Sequence, residues 1–230
     1  MKNNETFGIS VEKTICMNFN DINNKIDNNR CDITIMNELK EPFKKFFIDN
    51  KITKLEYTGD VSNKTDFIGD NKTYSVKSNL KKNDKVCPQN IGQTTKAKFI
   101  ENIYNVVNNT KIEEKDFDSI TDLMLKENII NNADKYLNLY LENLFCCDYI
   151  IYIQQTTMKP KLIGKKDFIF DNKLDSCKIT FTRDASKWNE STTVKYNNIS
   201  IGEFQFHKKG KHKGIKKFRF HLNRLLSIIL

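Results

Sequence analysis

The chain of 230 residues carries a net charge of +9 and 38% hydrophobic residues, among them 16 Phe and 8 Tyr, enough for a real core and against global disorder. Only 3 Pro and 8 Gly exclude a collagenous or Pro-rich linker protein. Apolar runs such as residues 149–153 fall far short of the roughly 20 residues of a membrane span, and residues 1–8 lack a signal-peptide core, so a soluble cytoplasmic protein is expected.

Residues 7–19 are predicted as a first helix, with Ile9, Val11, Ile15, Cys16 and Phe19 at mixed helical spacing. The Asn/Asp-rich stretch 18–32 reads as a loop. A second helix is expected over 33–50, carrying Leu39, Phe43, Phe46 and Phe47, with Pro42 near its start or at a kink. The period then changes. Residues 54–57, 65–68 and 72–76 read as strands, and Gly69-Asp70-Asn71-Lys72 is turn chemistry between the last two. A polar loop is expected over 78–90, helical regions over 91–107 and 119–144, and a buried strand over 148–154. Strands are also expected at 168–170 and 178–182, and residues 192–196, 200–207 and 216–221 suggest a β-ribbon with a Lys/Gly-rich tip. The order implies a mixed α/β fold. Residues 1–155 read as a catalytic core, and 156–230 as a β-rich basic region packed on it as one domain. The six cysteines show no C-x-x-C pair or zinc spacing and read as free, mostly buried thiols.

The informative stretch runs from Thr65 to Lys77. If Asp70-Asn71 is the tip of a hairpin, Asp66 lies opposite Ser75, and Lys77 follows Ser75 on the same face. One carboxylate, one hydroxyl and one ammonium then converge, while Phe67 and Val76 point into the core. That set suits metal-assisted phosphodiester hydrolysis. A Mg²⁺ ion takes hard oxygen ligands and activates a water, and a nearby Lys positions that water or offsets phosphate charge. An ordinary solvated hairpin carries the same spacing.

Asp66 followed by Ser75-Val76-Lys77 resembles the PD-(D/E)XK nuclease motif in its S-x-K variant, found among type II restriction endonucleases. Gly8-Ile9-Ser10-Val11-Glu12 is similar to the G-x-x-x-E element that opens many of these cores, where the helix Glu supplies a metal ligand. The order of elements matches the family's αβββαβ core over roughly residues 7–155. Thr65 stands where the motif often has Pro, and Ser75 where it has a second acid. A hydroxyl is a poor Mg²⁺ ligand beside a carboxylate, so another acid is needed. Glu12 is the first candidate, and Glu56 and Asp60 remain open. The resemblance implies a Mg²⁺-dependent type II restriction endonuclease that cuts both strands of double-stranded DNA to leave 5′-phosphates. It also implies a homodimer on a palindromic site and a cognate methyltransferase as functional partner.

Loops similar to Cys87-Pro88-Gln89-Asn90-Ile91-Gly92-Gln93 approach DNA in that family, so Gln89, Asn90 and Gln93 are candidate contacts. A Pro-initiated helix with polar first-turn residues is the alternative. From residue 195 to 230 the chain holds nine Lys/Arg and one acid, Glu203, a local charge of +8 that looks like a polyanion footprint. In residues 200–207, Ile201, Glu203, Gln205 and His207 fall on one face, and Gly202, Phe204 and Phe206 on the other. Gln205, His207 and Arg219 are expected to face DNA. Lys208, Lys209, Lys211 and Lys213 should grip phosphates, with Lys216 and Lys217 completing the tip. An exposed hairpin guarded by Lys is the bland counterpart. Two other functions stay open: a structure-selective repair or junction nuclease, and a non-catalytic nucleic-acid-binding protein.

Overall fold

The computed structural model describes residues 4–21, 25–59, 65–80, 84–165 and 174–229. Asp60 and the strand expected at 168–170 lie outside the described residues. In chain order the elements are α1 (Asn4–Asn18), α2 (Ile33–Asp49), β1 (Glu56–Tyr57), β2 (Phe67–Gly69), β3 (Lys72–Asn79), β4 (Lys85–Val86) and β5 (Gln93–Thr94). A helical run follows from α3 (Lys96–Phe99) through the π segment Ile100–Tyr104 to α4 (Asn105–Asn108), then α5 (Asp122–Asn131) and α6 (Ala133–Leu144). The last elements are β6 (Tyr149–Gln154), β7 (Lys161–Gly164), β8 (Ile179–Phe181), β9 (Ser191–Tyr196), β10 (Ile199–Phe206), β11 (Lys216–His221) and α7 (Leu222–Ile229). Among the described residues no helix is long and apolar enough to cross a membrane.

The expected α/β class is present. The break expected between residues 155 and 156 is not where the contacts divide. One compact unit holds Met1–Asp84 and Phe145–Phe168, and the other Lys85–Leu144 and Ile169–Leu230. The helices of 85–144 belong with the late strands because their aromatic faces pack there.

In the first unit the sheet order is β1-β2-β3-β6-β7. Among the described residues of this sheet only β3 and β6 run parallel. Phe7, Val11 and Ile15, one helical turn apart on α1, and Leu39, Phe43, Phe46 and Phe47 of α2 cover Phe67, Tyr74, Val76, Ile151 and Ile153 in one cluster. Asp32 caps α2 by accepting from the N–H groups of Thr34 and Ile35. Pro42 sits inside that helix, where it removes one backbone bond. Asp70 and Asn71 both have positive φ, 50° and 59°, as a type I′ turn requires. The resulting register, Phe67 opposite Tyr74, is the one the turn chemistry implied.

In the second unit the sheet order is β4-β11-β10-β9-β8, with β5 also paired to β11. Phe204, Phe206, Phe218 and Phe220 point to one face, all buried, and meet helix aromatics: Tyr140 stacks 4.5 Å from Phe218, and Phe99 lies 5.9 Å from Phe206. Trp188, also buried, packs 5.0 Å from Phe206, as a core residue. Gly202 is required by close approach, since a Cβ there would meet a Phe218 ring carbon at 2.8 Å and the Arg219 carbonyl at 2.9 Å. Ile201, expected on the Glu203 face, is fully buried beside the irregularity between Ser200 and Gly202. The helix expected from residue 91 starts only at Lys96, capped by Thr95, because residues 93 and 94 are drawn out to pair with β11. Of the cysteines, all free, only Cys16 and Cys147 are buried.

Candidate active site

Asp66 sits where β2 parts from β3. Its N–H still bonds the Tyr74 carbonyl at 2.9 Å, but its carboxylate takes over the next position of the ladder. Oδ2 accepts from the Val76 N–H at 2.6 Å and from the Ser75 hydroxyl at 2.9 Å. The Lys77 Nζ donates to Ser75 Oγ at 2.8 Å. A continuous path of donors therefore runs from ammonium to hydroxyl to carboxylate. Val76, between Ser75 and Lys77, goes to the core, and this alternation is what puts both partners on one side.

Glu12 comes from α1. Its local helix geometry depends on Gly8, one turn earlier: a Cβ there would lie 3.2 Å from Ser78 Oγ, so the missing side chain lets α1 sit close to β3. Glu12 Oε2 accepts from the Tyr57 hydroxyl at 3.3 Å. Burial first, and then the negative charge of Asp66, raise the Glu12 carboxyl to about 7, although Tyr57, Lys77 and Arg30 pull it down. Burial also pushes the Tyr57 hydroxyl up, with the Glu12 charge next. Tyr57 thus keeps its proton and donates it. Sequence reasoning missed Tyr57, because nothing along the chain links residues 12 and 57.

Glu56 does not join this group. It is exposed and pairs with Lys54 at 2.6 Å. Among the described residues no three His, Cys, Asp or Glu side chains gather as a metal site, so the available donors are the two carboxylates of Glu12 and Asp66. Asp66 Oδ1 and Glu12 Oε1 have no hydrogen-bond partner among the described residues. Two half-buried, mutually repelling carboxylates with open oxygens fit a small hard cation that retains several waters.

The second unit holds the other candidates. Gln89 and Asn90 form a turn, with Asn90 left-handed at φ 59°. Gln93 is exposed on β5 opposite Lys217, which in turn faces Gln205 on β10. His207 lies beside His212, ring centres 5.7 Å apart, and burial followed by the His212 charge lowers its pKa. Lys208 bonds Asn189 at 3.1 Å, and Lys209 and Lys213 are exposed. The Lys211 side chain lies outside the described residues.

Two placements differ from expectation. Lys216 is not part of the tip's free charge: it is buried, bonded to Asp122 at 2.6 Å and set over the Phe206 ring. The β11 alternation sends it to the aromatic side. Arg219 does face the polar side but is not free. Its Nη2 donates to Glu203 Oε1 at 3.0 Å.

No family model and no solved structure matches the chain. Over 165 residues it is 32% identical to "Type II restriction enzyme CviAII" of Paramecium bursaria Chlorella virus 1. The match covers 71% of this chain and 43% of that protein, so the chain spans less than half of the relative's length. The chain is similar to a type II restriction enzyme over most of its sequence.

Proposed function

We propose that this chain is a type II restriction endonuclease of the PD-(D/E)XK superfamily, in its S-x-K variant, hydrolysing phosphodiester bonds of double-stranded DNA at a specific site. The observation that carries the reading is the Lys77–Ser75–Asp66 chain of hydrogen bonds beside the half-buried Glu12 carboxyl. Similarity to a type II restriction enzyme supports it independently.

In this reading Asp66 and Glu12 would hold Mg²⁺, which would supply charge to offset that of the scissile phosphate and to acidify a water. Val76 and Ser75 fix the Asp66 rotamer by bonding Oδ2, so Oδ1 would remain available. Ser75 is an orienting hydroxyl rather than a ligand. Lys77, held by Ser75, stands ready to orient the attacking water and to balance phosphate charge. Tyr57 holds Glu12 in place. The products carry 5′-phosphates. Gln89, Asn90, Gln93, Gln205 and His207 are the candidate base and backbone contacts of the second unit. The exposed lysines of the tip supply sequence-independent affinity. A palindromic site is matched by a homodimer, and a cognate methyltransferase protects host DNA.

Incubation of phage DNA with the protein and Mg²⁺ tests this. Discrete bands with uniform sequenced ends are expected, and none with Lys77→Ala. A smear, cleavage confined to branched DNA, or full activity in Lys77→Ala defeats the proposal.

A further inference from the structure

The polar face of the second unit's sheet carries an arrangement that its strand register alone does not explain. Glu203 lies directly opposite Arg219, and Gln205 opposite Lys217, with Gln93 beyond Lys217 on the next strand. Glu203 is the hub. It accepts from Arg219 Nη2 at 3.0 Å, from Gln205 Nε2 and from Lys85 Nζ. Its side chain is only 12% exposed, against 24% for Arg219. Burial pushes its carboxyl up, but the bonds from Lys85 and Arg219 outweigh that and hold it below the usual carboxylate range. Glu203 is therefore ionised and fully engaged.

What the network leaves open is equally informative. Among the described residues Arg219 Nη1 and the Gln205 carbonyl oxygen have no partner. Gln205 keeps one amide N–H and its carbonyl, the pair an adenine edge requires. Arg219 keeps the N–H groups that a guanine O6/N7 edge accepts. Ion networks of this burial add little net stability, yet they freeze two long side chains before any ligand arrives. The surrounding charge is positive: Lys85, Lys217 and Arg219 against one acid, on a sheet whose tip adds exposed Lys209 and Lys213.

We propose that Glu203 is a positioning residue that presents Arg219 and Gln205 as a preorganised pair reading a guanine and an adenine in the major groove of duplex DNA. The proposal rests on the restriction-enzyme reading and deepens it. Glu203 itself touches no base. It selects which amide hydrogen and which guanidinium edge of its neighbours stay available, and so specifies sequence through them. Lys85 completes the balance that keeps the carboxylate charged.

The test is selection from a random duplex library by the full chain in a Lys77→Ala background, so that DNA is bound and not cut. The parent is expected to enrich one motif containing guanine and adenine. Glu203→Ala should bind nonspecific duplex within about twofold of the parent at low salt. Its preference at those two positions should fall about tenfold or more. Arg219→Lys should relax the guanine alone and Gln205→Ala the adenine alone. If Glu203→Ala does not fold, these two variants decide. An unchanged motif in the folded variants overturns the proposal while leaving the restriction reading intact. No motif in the parent defeats the restriction reading, and this inference with it.

Discussion

Two half-buried glutamates set the two sheets apart. Glu12, beside the first sheet, is raised to about 7 by burial and by Asp66. Glu203, on the second, is also half-buried yet held below its usual range, because Lys85 and Arg219 bond it directly. The difference lies in the partners. Glu203 is bonded directly by two cations, whereas Glu12 faces a second acid and, among the described residues, accepts a hydrogen bond from the Tyr57 hydroxyl alone, with Lys77 and Arg30 acting on it through charge without a bond. A site that is electrostatically complete serves to orient neighbours. A site where two carboxylates face each other is the one the proposed function assigns to a cation.

The strongest way to break this comparison is at Asp66. Asp66→Ala removes both the anchor of Ser75 and a proposed cation ligand, and single-turnover cleavage should fall by about 10²–10⁴-fold or more. A variant cutting at the parent's rate would show that the incomplete site is not where chemistry occurs. Next comes the aromatic layer that supports the complete site. Phe218→Ala opens a cavity against Tyr140 and Phe204, and denaturant titration should show about 3–5 kcal/mol lost.

The pH dependence of the metal-free protein sharpens the contrast. The folded-state value of about 7 for Glu12 exceeds the ordinary 4.5, so its contribution to stability is present below pH 4.5 and lost as pH rises through 7. In EDTA, Glu12→Gln should therefore be more stable than the parent at pH 8, by up to roughly 3 kcal/mol, and by little at pH 4.5. Thermal melts at both pH values measure this. For Glu203 the direction reverses: its folded value is lowered, so its contribution is lost on acidification, and Glu203→Gln should destabilise near neutral pH. The smallest effect belongs to the tip. Replacing Lys209 or Lys213 by Gln should reduce the salt slope of DNA binding by about one phosphate contact each, with no change in preferred sequence.

Much of the candidate site was legible. Asp70-Asn71 marked the turn, the turn set the register, and the register put Asp66, Ser75 and Lys77 on one side. The alternation of Phe204 and Phe206 with Glu203 and Gln205 likewise named the two faces of β10. Lys216 was misjudged because a lysine among lysines reads as solvated, and nothing nearby in sequence announces Asp122. Tyr57, the Glu203 network and the division of the chain at 84, 144 and 168 were not legible at all.

By itself, then, the sequence determined what depends on near neighbours: helix stripes, strand alternation and a two-residue turn whose asparagine and aspartate tolerate positive φ. Only the tertiary structure decided which charges meet. A carboxylate's state depends on the groups packed within a few ångströms of it, and those arrive from distant parts of the chain: Tyr57 at Glu12, Lys85 at Glu203, Asp122 at Lys216.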